Sequence, residues 1–371
     1  MNALIYNGIP GQKLVTKIPI PEIIEETDVI VKLSSTTICG SDLHIIKGDL
    51  SEMNNSNNTR VLGHEGIGYI QKIGNLIENF EIGDKVLISC ITSCGKCIYC
   101  LKNLQSHCIN GGWKLGHTIN GTQAQYVRIP HANHSLYNIE GFNGIIEDES
   151  LLMLSDILPT GYEIGTINGH IKNNDIVAII GAGSIGISTL ICLKTFYNPK
   201  SIILIDYNES RLKFAQDEFD TDIITINLGK ITNIKDEIFK ITSNINNLDS
   251  KRINLNQGVD VAIECVGVPE SFNTCQEIIA PGGRIANIGV HGVKIDLQLQ
   301  KLWDKNIEIS TGLVNTYSIL DLLNKIDGNF LNPLKLITHH FKFDEILKAY
   351  EIFENSEREK CIKVFIEFDN D

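Results

Sequence analysis

The chain has 371 residues, 43% of them hydrophobic, enough to build two domains of ordinary size. Its 32 basic and 45 acidic side chains leave a net charge of −13, and no basic stripe is present to neutralise phosphates, which argues against nucleic acid as a partner. The opening run MNALIYNGIPGQKL lacks the basic-then-apolar pattern of a secretory signal, and the last residues carry no lipidation or retention signal, so a cytoplasmic protein is expected. In that reducing compartment ten cysteines read as metal ligands or packed thiols in preference to disulfides.

In chain order, the first 165 residues are rich in short β-branched runs bounded by glycine, at 29–33, 66–73 and 85–89. These predict a mostly-β unit without a long amphipathic helix. The asparagine-heavy stretch 54–58 reads as a solvated loop. Near Asp175 the character changes. A strand at 176–180, a helix from Ser184, a strand at 201–205, a helix at 209–219 and strands at 259–264 and 284–288 alternate as in a parallel, doubly wound sheet. Residues 176–193 carry no charge, but Gly181, Gly183, Ser184, Gly186 and Ser188 make this a strand, turn and helix and not a membrane span. The run 243–257 is again asparagine-heavy and reads as a loop. A helix at 343–353 and an extended run at 361–368 close the chain and are expected to return to the first domain.

Gly181-Ala-Gly-Ser-Ile-Gly186 fits the GxGxxG pattern between an apolar strand and a helix. Gly181 permits the tight turn, Gly183 lets a pyrophosphate approach, and Gly186 allows close helix–strand packing. With Ser184 and Ile185, these residues would hold the diphosphate on a helix N-terminus. Asp206, at the end of the second strand, is placed to receive ribose hydroxyls and to repel a 2′-phosphate, which favours NAD over NADP.

Cys94, Cys97, Cys100 and Cys108 put four thiols within fifteen residues, a strong pattern for a closed, structural zinc site. A second constellation is dispersed: Cys39-Gly-Ser-Asp-Leu-His44, then Gly63-His64-Glu65. Cys39 and His64 could give a catalytic zinc its thiolate and imidazole, but spacing names no third ligand. Position alone also leaves open whether Cys90 and Gln123 line a pocket.

Together these motifs resemble the zinc-dependent medium-chain alcohol dehydrogenases, from Cys39 through Pro281-Gly-Gly-Arg-Ile-Ala-Asn-Ile-Gly-Val-His-Gly292 to the tail. The resemblance implies an α/β protein with a GroES-like mostly-β catalytic domain (1–157 and 314–371) and a Rossmann NAD-binding domain (158–313). It also implies two zinc ions per chain, NAD, a small alcohol or ketone as substrate, and a homo-oligomer, dimer or tetramer. By the same likeness Cys39 and His64 hold the catalytic zinc. The third ligand is Asp156, just before Pro159-Thr-Gly-Tyr162, and Glu65 can approach the metal. Asp42 is implied to orient the imidazole, Ser41 to receive the alcohol proton, His44 to pass it to solvent, and Arg211 to contact the adenosine ribose. Asp156 and Gly112-Trp113-Lys114 resemble the secondary-alcohol enzymes, in which the tryptophan narrows the pocket. The intact four-cysteine lobe and Asp206 depart from that subgroup. The alternatives are a polyol dehydrogenase, disfavoured by Asp156 and Trp113, and a non-catalytic NAD-binding relative, disfavoured because Ser41, His44 and the zinc-ligand residues are all present.

Overall fold

Alternating burial along short strands shapes the first part of the chain, in a computed structural model that describes residues 1–49, 59–142, 145–219, 222–247 and 258–369. The strands there are β1 (Asn2–Tyr6), β2 (Lys13–Lys17), β3 (Val29–Thr36), β4 (Arg60–Val61), β5 (Gly66–Ile73), β6 (Lys85–Ile88), β7 (Tyr126–Ile129) and β8 (Leu136–Asn138). Those of the second part are β9 (Ile176–Ile180), β10 (Ser201–Asp206), β11 (Ile224–Asn227), β12 (Val259–Glu264), β13 (Ile279–Asn287) and β14 (Glu308–Thr311). Near the end lie β15 (Ile337–Lys342) and β16 (Lys363–Glu367).

Two units divide the chain: Met1–Pro159 with Val314–Asp371, and Thr160–Leu313. In the first, β2-β1-β4 form a small antiparallel sheet, and a larger sheet runs β15-β16-β3-β5-β6-β8 with β7 also on β3. The tail is built into this sheet, because β16 pairs antiparallel with the end of β3 through Ile366↔Thr36. Its core gathers Leu4, Val29, Val31, Ile70, Val86 and Val364 with Tyr350. The helix α1 (Gly40–Lys47) follows β3 directly.

The second unit is a parallel sheet, β11-β10-β9-β12-β13-β14. Every residue of β9 is buried, as expected of a strand covered on both faces. Helices α2 (Ser184–Phe196), α3 (Glu209–Glu218), α4 (Ile234–Asn247) and α5 (Pro269–Ile278) connect its strands, and α6 (Ile319–Asp327) and α7 (Ile346–Glu354) lie in the first unit's C-terminal part. Gly161 of the Thr-Gly-Tyr stretch explains itself here, since a Cβ would stand 2.7 Å from the Thr189 backbone nitrogen on α2.

Two expectations change. Residues 243–247 are not loop: α4 runs through them, because Ile245 continues the apolar stripe of Ile234, Ile238 and Ile241 against the sheet core. The expected loops at 54–58 and 248–257 lie outside the described residues. The strand expected at 284–288 begins earlier, at Ile279. Its register jumps from Val259↔Ile279 to Val261↔Arg284, so Pro281-Gly282-Gly283 is taken up as a bulge. Among the described residues no helix is long and apolar enough to cross a membrane.

Candidate active site

Cys39 is the residue just before α1, and Asp42, three positions on, accepts its backbone N–H through Oδ2 at 3.0 Å. The Cys-Gly-Ser-Asp run is therefore a helix start that fixes a thiol at the end where partial positive charge favours an anion. His64 is delivered by Gly63, whose φ of +89° and close neighbours leave no room for a side chain; a Cβ would lie 2.7 Å from Gln123 Cγ. Asp42 Oδ1 accepts the Gly63 N–H at 3.2 Å, which ties the two loops together. Asp156 comes from a third segment, the turn before Ile157.

These segments converge. Ligand atoms of Cys39, His64, Glu65 and Asp156 all lie within 4.8 Å of one another, and all four side chains are buried. Asp156 Oδ2 stands 3.2 Å from His64 Nε2 and 3.5 Å from Cys39 Sγ. His64 Nδ1 faces Asp42 Oδ1 at 3.7 Å, an ion-pair distance longer than a hydrogen bond. Asp42 does most of its work on backbone: it receives the N–H groups of Cys39 and Gly63, and Gln123 Nε2 at 3.1 Å. Gln123 is fully buried and bridges Asp42 to Tyr350, whose hydroxyl donates to Gln123 Oε1 at 2.9 Å.

The donor set fits a divalent metal. A thiolate and the Asp156 carboxylate together match a dication, and the imidazole adds a neutral ligand. Burial works against a charged imidazole, yet hydrogen bonds to Asp156 and Cys39 and the charge of Asp42 hold His64 well above its ordinary pKa. Such a pocket of negative potential favours a cation. Glu65 is only partly balanced, by Lys363 Nζ on its Oε1 at 2.7 Å: both side chains are buried, and burial outweighs the cation and pushes the carboxyl up to about 7. Burial opposes the charge on Lys363, and the carboxylate beside it outweighs that. Glu65 Oε2 is left buried without a hydrogen-bond partner among the described residues. Sequence reasoning missed Lys363; nothing in a strand pattern distinguishes a buried lysine from an edge one.

Ser41 Oγ stands 3.5 Å from His64 Nε2, and His44, one turn along α1, pairs at the surface with Asp49 at 2.7 Å. Trp113 stands edge-on to His64 with ring centroids 6.2 Å apart. It packs with Cys90, Ile91 and Val314 and is stacked by His117 at 4.5 Å, a partner sequence reasoning also missed. Cys90 is 2% exposed, and burial with the Asp156 charge beside it pushes its thiol well above the ordinary range.

The four-cysteine lobe forms a second cluster, with the sulfurs of Cys94, Cys97, Cys100 and Cys108 mutually within 4.8 Å. The Cys94 N–H donates to Cys108 Sγ at 3.2 Å. The backbone N–H groups of Cys100 and Ile109 bring Cys97 down to about 6, so the peptide frame favours thiolate at that position, whereas burial and the neighbouring thiols push Cys100 up to about 12.

In the other unit, Gly181 has a φ of +102° and Gly183 immediately precedes α2. A Cβ at Gly186 would overlap the Gly181 carbonyl oxygen. At Gly183 a Cβ would meet only Arg211 Nη1, at 3.7 Å, so this face of the loop is open to a ligand. Asp206 receives the N–H groups of Ala182 and Asn208 at 2.6 and 2.8 Å, setting its carboxylate against the glycine loop. Ser184 and Ile185 form the first turn of α2. The open loop, the helix start and the acidic strand end fit a dinucleotide.

Residues 25–140 match the alcohol dehydrogenase GroES-like domain, and residues 184–326 match the zinc-binding dehydrogenase family. The chain is 40% identical to a solved zinc dependent alcohol dehydrogenase 2 from Streptococcus pneumonia, in its apo form, covering 100% of this chain and 99% of that one with a TM-score of 0.88. It is 30% identical to zinc-type alcohol dehydrogenase B of Aspergillus flavus, over 98% of this chain and 80% of the relative. A solved Escherichia coli protein described as a short chain alcohol dehydrogenase, complexed with cofactor NADH, is 25% identical with a TM-score of 0.83, covering 99% of each chain. With both domain types matched in order and likeness running the whole length, the chain belongs to the zinc-dependent medium-chain alcohol dehydrogenase family.

Proposed function

We propose that this alcohol dehydrogenase oxidises small secondary alcohols to ketones with NAD, reversibly, at a zinc held by Cys39, His64 and Asp156. The observation that carries the reading is the convergence of those three side chains with Trp113 against His64. When bound, zinc supplies Lewis acidity toward the substrate oxygen, and NAD accepts the hydride.

The chain's own residues do the rest. Asp42 holds the Cys39 and Gly63 N–H groups, which fixes the two ligand-bearing loops relative to each other. Ser41 Oγ, beside His64 Nε2, is placed to take the alcohol proton, and His44, on the same helix and near the surface, to pass it to water. Glu65 has a carboxylate oxygen within 4.8 Å of the same ligand atoms, and its Oε2 has no hydrogen-bond partner among the described residues. The Trp113 indole, held by His117, walls the site and limits the substituents a substrate carbon can carry. Gly181, Gly183, Ser184, Ile185, Gly186, Asp206 and Arg211 receive the coenzyme, with the Asp206 charge opposing a 2′-phosphate. The four-cysteine lobe takes a second, structural zinc.

Homo-oligomer assembly belongs to the same reading. The stretch that leads to the sheet-edge strand β14 and out of it leaves Val293, Leu297, Leu299, Trp303 and Leu313 exposed. A cytoplasmic location suits ten cysteines, all among the described residues, that form no disulfide.

Steady-state NADH formation with ethanol, propan-2-ol, butan-2-ol and sorbitol, each with NAD and NADP, tests the proposal. The expected result is the highest kcat/KM for propan-2-ol or butan-2-ol with NAD. Preference for sorbitol or ethanol overturns the substrate assignment, and preference for NADP overturns the role of Asp206.

A further inference from the structure

Resting on the reading of Asp156 as a metal ligand, we propose that Cys90 is a positioning residue that commits Asp156 to the metal through a single oxygen. Cys90 follows β6 and is buried among Ile91, Val314 and Trp113. Its backbone N–H donates to the Ser155 carbonyl at 3.0 Å, so the two segments are pinned side by side immediately before the Asp156 side chain. The Cys90 thiol then donates to Asp156 Oδ1 at 3.5 Å, an ordinary length for a sulfur donor.

The two carboxylate oxygens are thereby divided. Oδ2 faces His64 Nε2 at 3.2 Å and Cys39 Sγ at 3.5 Å, and Oδ1 faces the thiol on the opposite side. A carboxylate with both oxygens free can take a cation with either or with both. A donor on one of them removes that choice, and outer partners of this kind orient ligands and tune affinity. Cys90 is not among the four residues whose ligand atoms converge, so it acts on the metal only through Asp156. A carboxylate limited to one oxygen also preserves the open coordination position a substrate needs.

The experiment uses full-length, zinc-loaded protein carrying Cys90→Ala, Cys90→Ser or Asp156→Asn. Zinc release to excess chelator is followed by a colorimetric indicator, and the visible absorption of the cobalt-exchanged protein is recorded. The phase belonging to this site is the one that Asp156→Asn accelerates. Cys90→Ala is expected to speed that phase about tenfold, the lower end of the range for losing an outer partner. It is also expected to weaken the cobalt bands, because a second carboxylate oxygen raises the coordination number. Cys90→Ser, which keeps a donor, should restore both to near the parental behaviour. If Cys90→Ala matches the parent while Asp156→Asn does not, the proposal falls and the ligand assignment stands. If Cys90→Ser behaves as Cys90→Ala, side-chain volume and not hydrogen bonding is at work, and the proposal falls as well. If Asp156→Asn leaves release and spectrum unchanged, the reading on which the proposal rests is itself wrong.

Discussion

Ser41 sits on α1 with its hydroxyl 3.5 Å from His64 Nε2, and it is the smallest group whose removal tests the proposed proton path. Ser41→Ala deletes one oxygen and leaves Cys39, Asp42 and the helix start in place. Turnover should fall about 100-fold, as for loss of one proton-transfer group, while NADH affinity by fluorescence titration stays as in the parent. Equal losses in both would remove Ser41 from the relay. Asp206 poses a different problem, because its oxygens also hold the Ala182 and Asn208 N–H groups. Asp206→Asn keeps an acceptor and removes the charge, so the ratio of kcat/KM for NADP over NAD should rise about tenfold, or roughly 1.4 kcal/mol. An unchanged ratio would mean that shape and not charge excludes the phosphate. Lys363 carries the largest energetic stake, since Lys363→Met strands Glu65 in a buried site. Breaking such a pair costs about 3–5 kcal/mol, which urea unfolding can read. The double variant with Glu65→Gln should recover much of the loss, and additivity of the two changes would show that the residues do not act as a pair.

At the scale of elements, regular patterns were legible and irregular ones were not. The strands β5, β9 and β12 stood out as apolar runs with glycine or charge at their ends, and the GxGxxG turn lay between two of the clearest elements in the chain. Helix α4 is not legible in the sequence because the asparagines of 243–247 hide the contribution of Ile245 and make its end resemble a loop, and the start of β13 is hidden because Pro281-Gly-Gly reads locally as a turn although the sheet absorbs it. Spacing named Cys39 and His64 but no third partner. Asp156 was reached only through family likeness, because proximity across 117 residues is a property of the fold. The cysteine lobe shows why metal patterns are easier: its ligands are local, and its stability is local too. Ile98, Leu101 and Ile109 are exposed by 57%, 74% and 66%, so apolar burial gives the lobe little support, and the proposed structural zinc would supply it. Cys100→Ser should lower zinc content by about one ion per chain and open the lobe to proteolysis between Cys94 and Cys108. A lobe that stays resistant after losing its zinc would show that the peptide frame holds it alone.

For the whole molecule, the informative feature is that each unit has its own core. Both cysteine-containing clusters lie in the unit formed by Met1–Pro159 and Val314–Asp371, whereas the glycine loop, Asp206 and Arg211 lie in Thr160–Leu313, whose sheet is packed by Ile176, Ile203, Val259 and Ile285. Metal removal should therefore act on one unit and spare the other. After exhaustive chelation, turnover should be lost and the unfolding transition of the zinc-bearing unit should move to lower temperature. NADH binding, read by fluorescence, should persist, since none of the residues proposed to receive the dinucleotide lies in the unit that carries the two cysteine-containing clusters. In calorimetry the single broad transition of the loaded protein should resolve into two, because units with separate cores need not unfold together once one is weakened. Re-addition of zinc should merge them and restore turnover. Loss of NADH binding in step with zinc would instead mean that the metal organises the parallel-sheet unit as well, and the division of labour between the units would have to be abandoned.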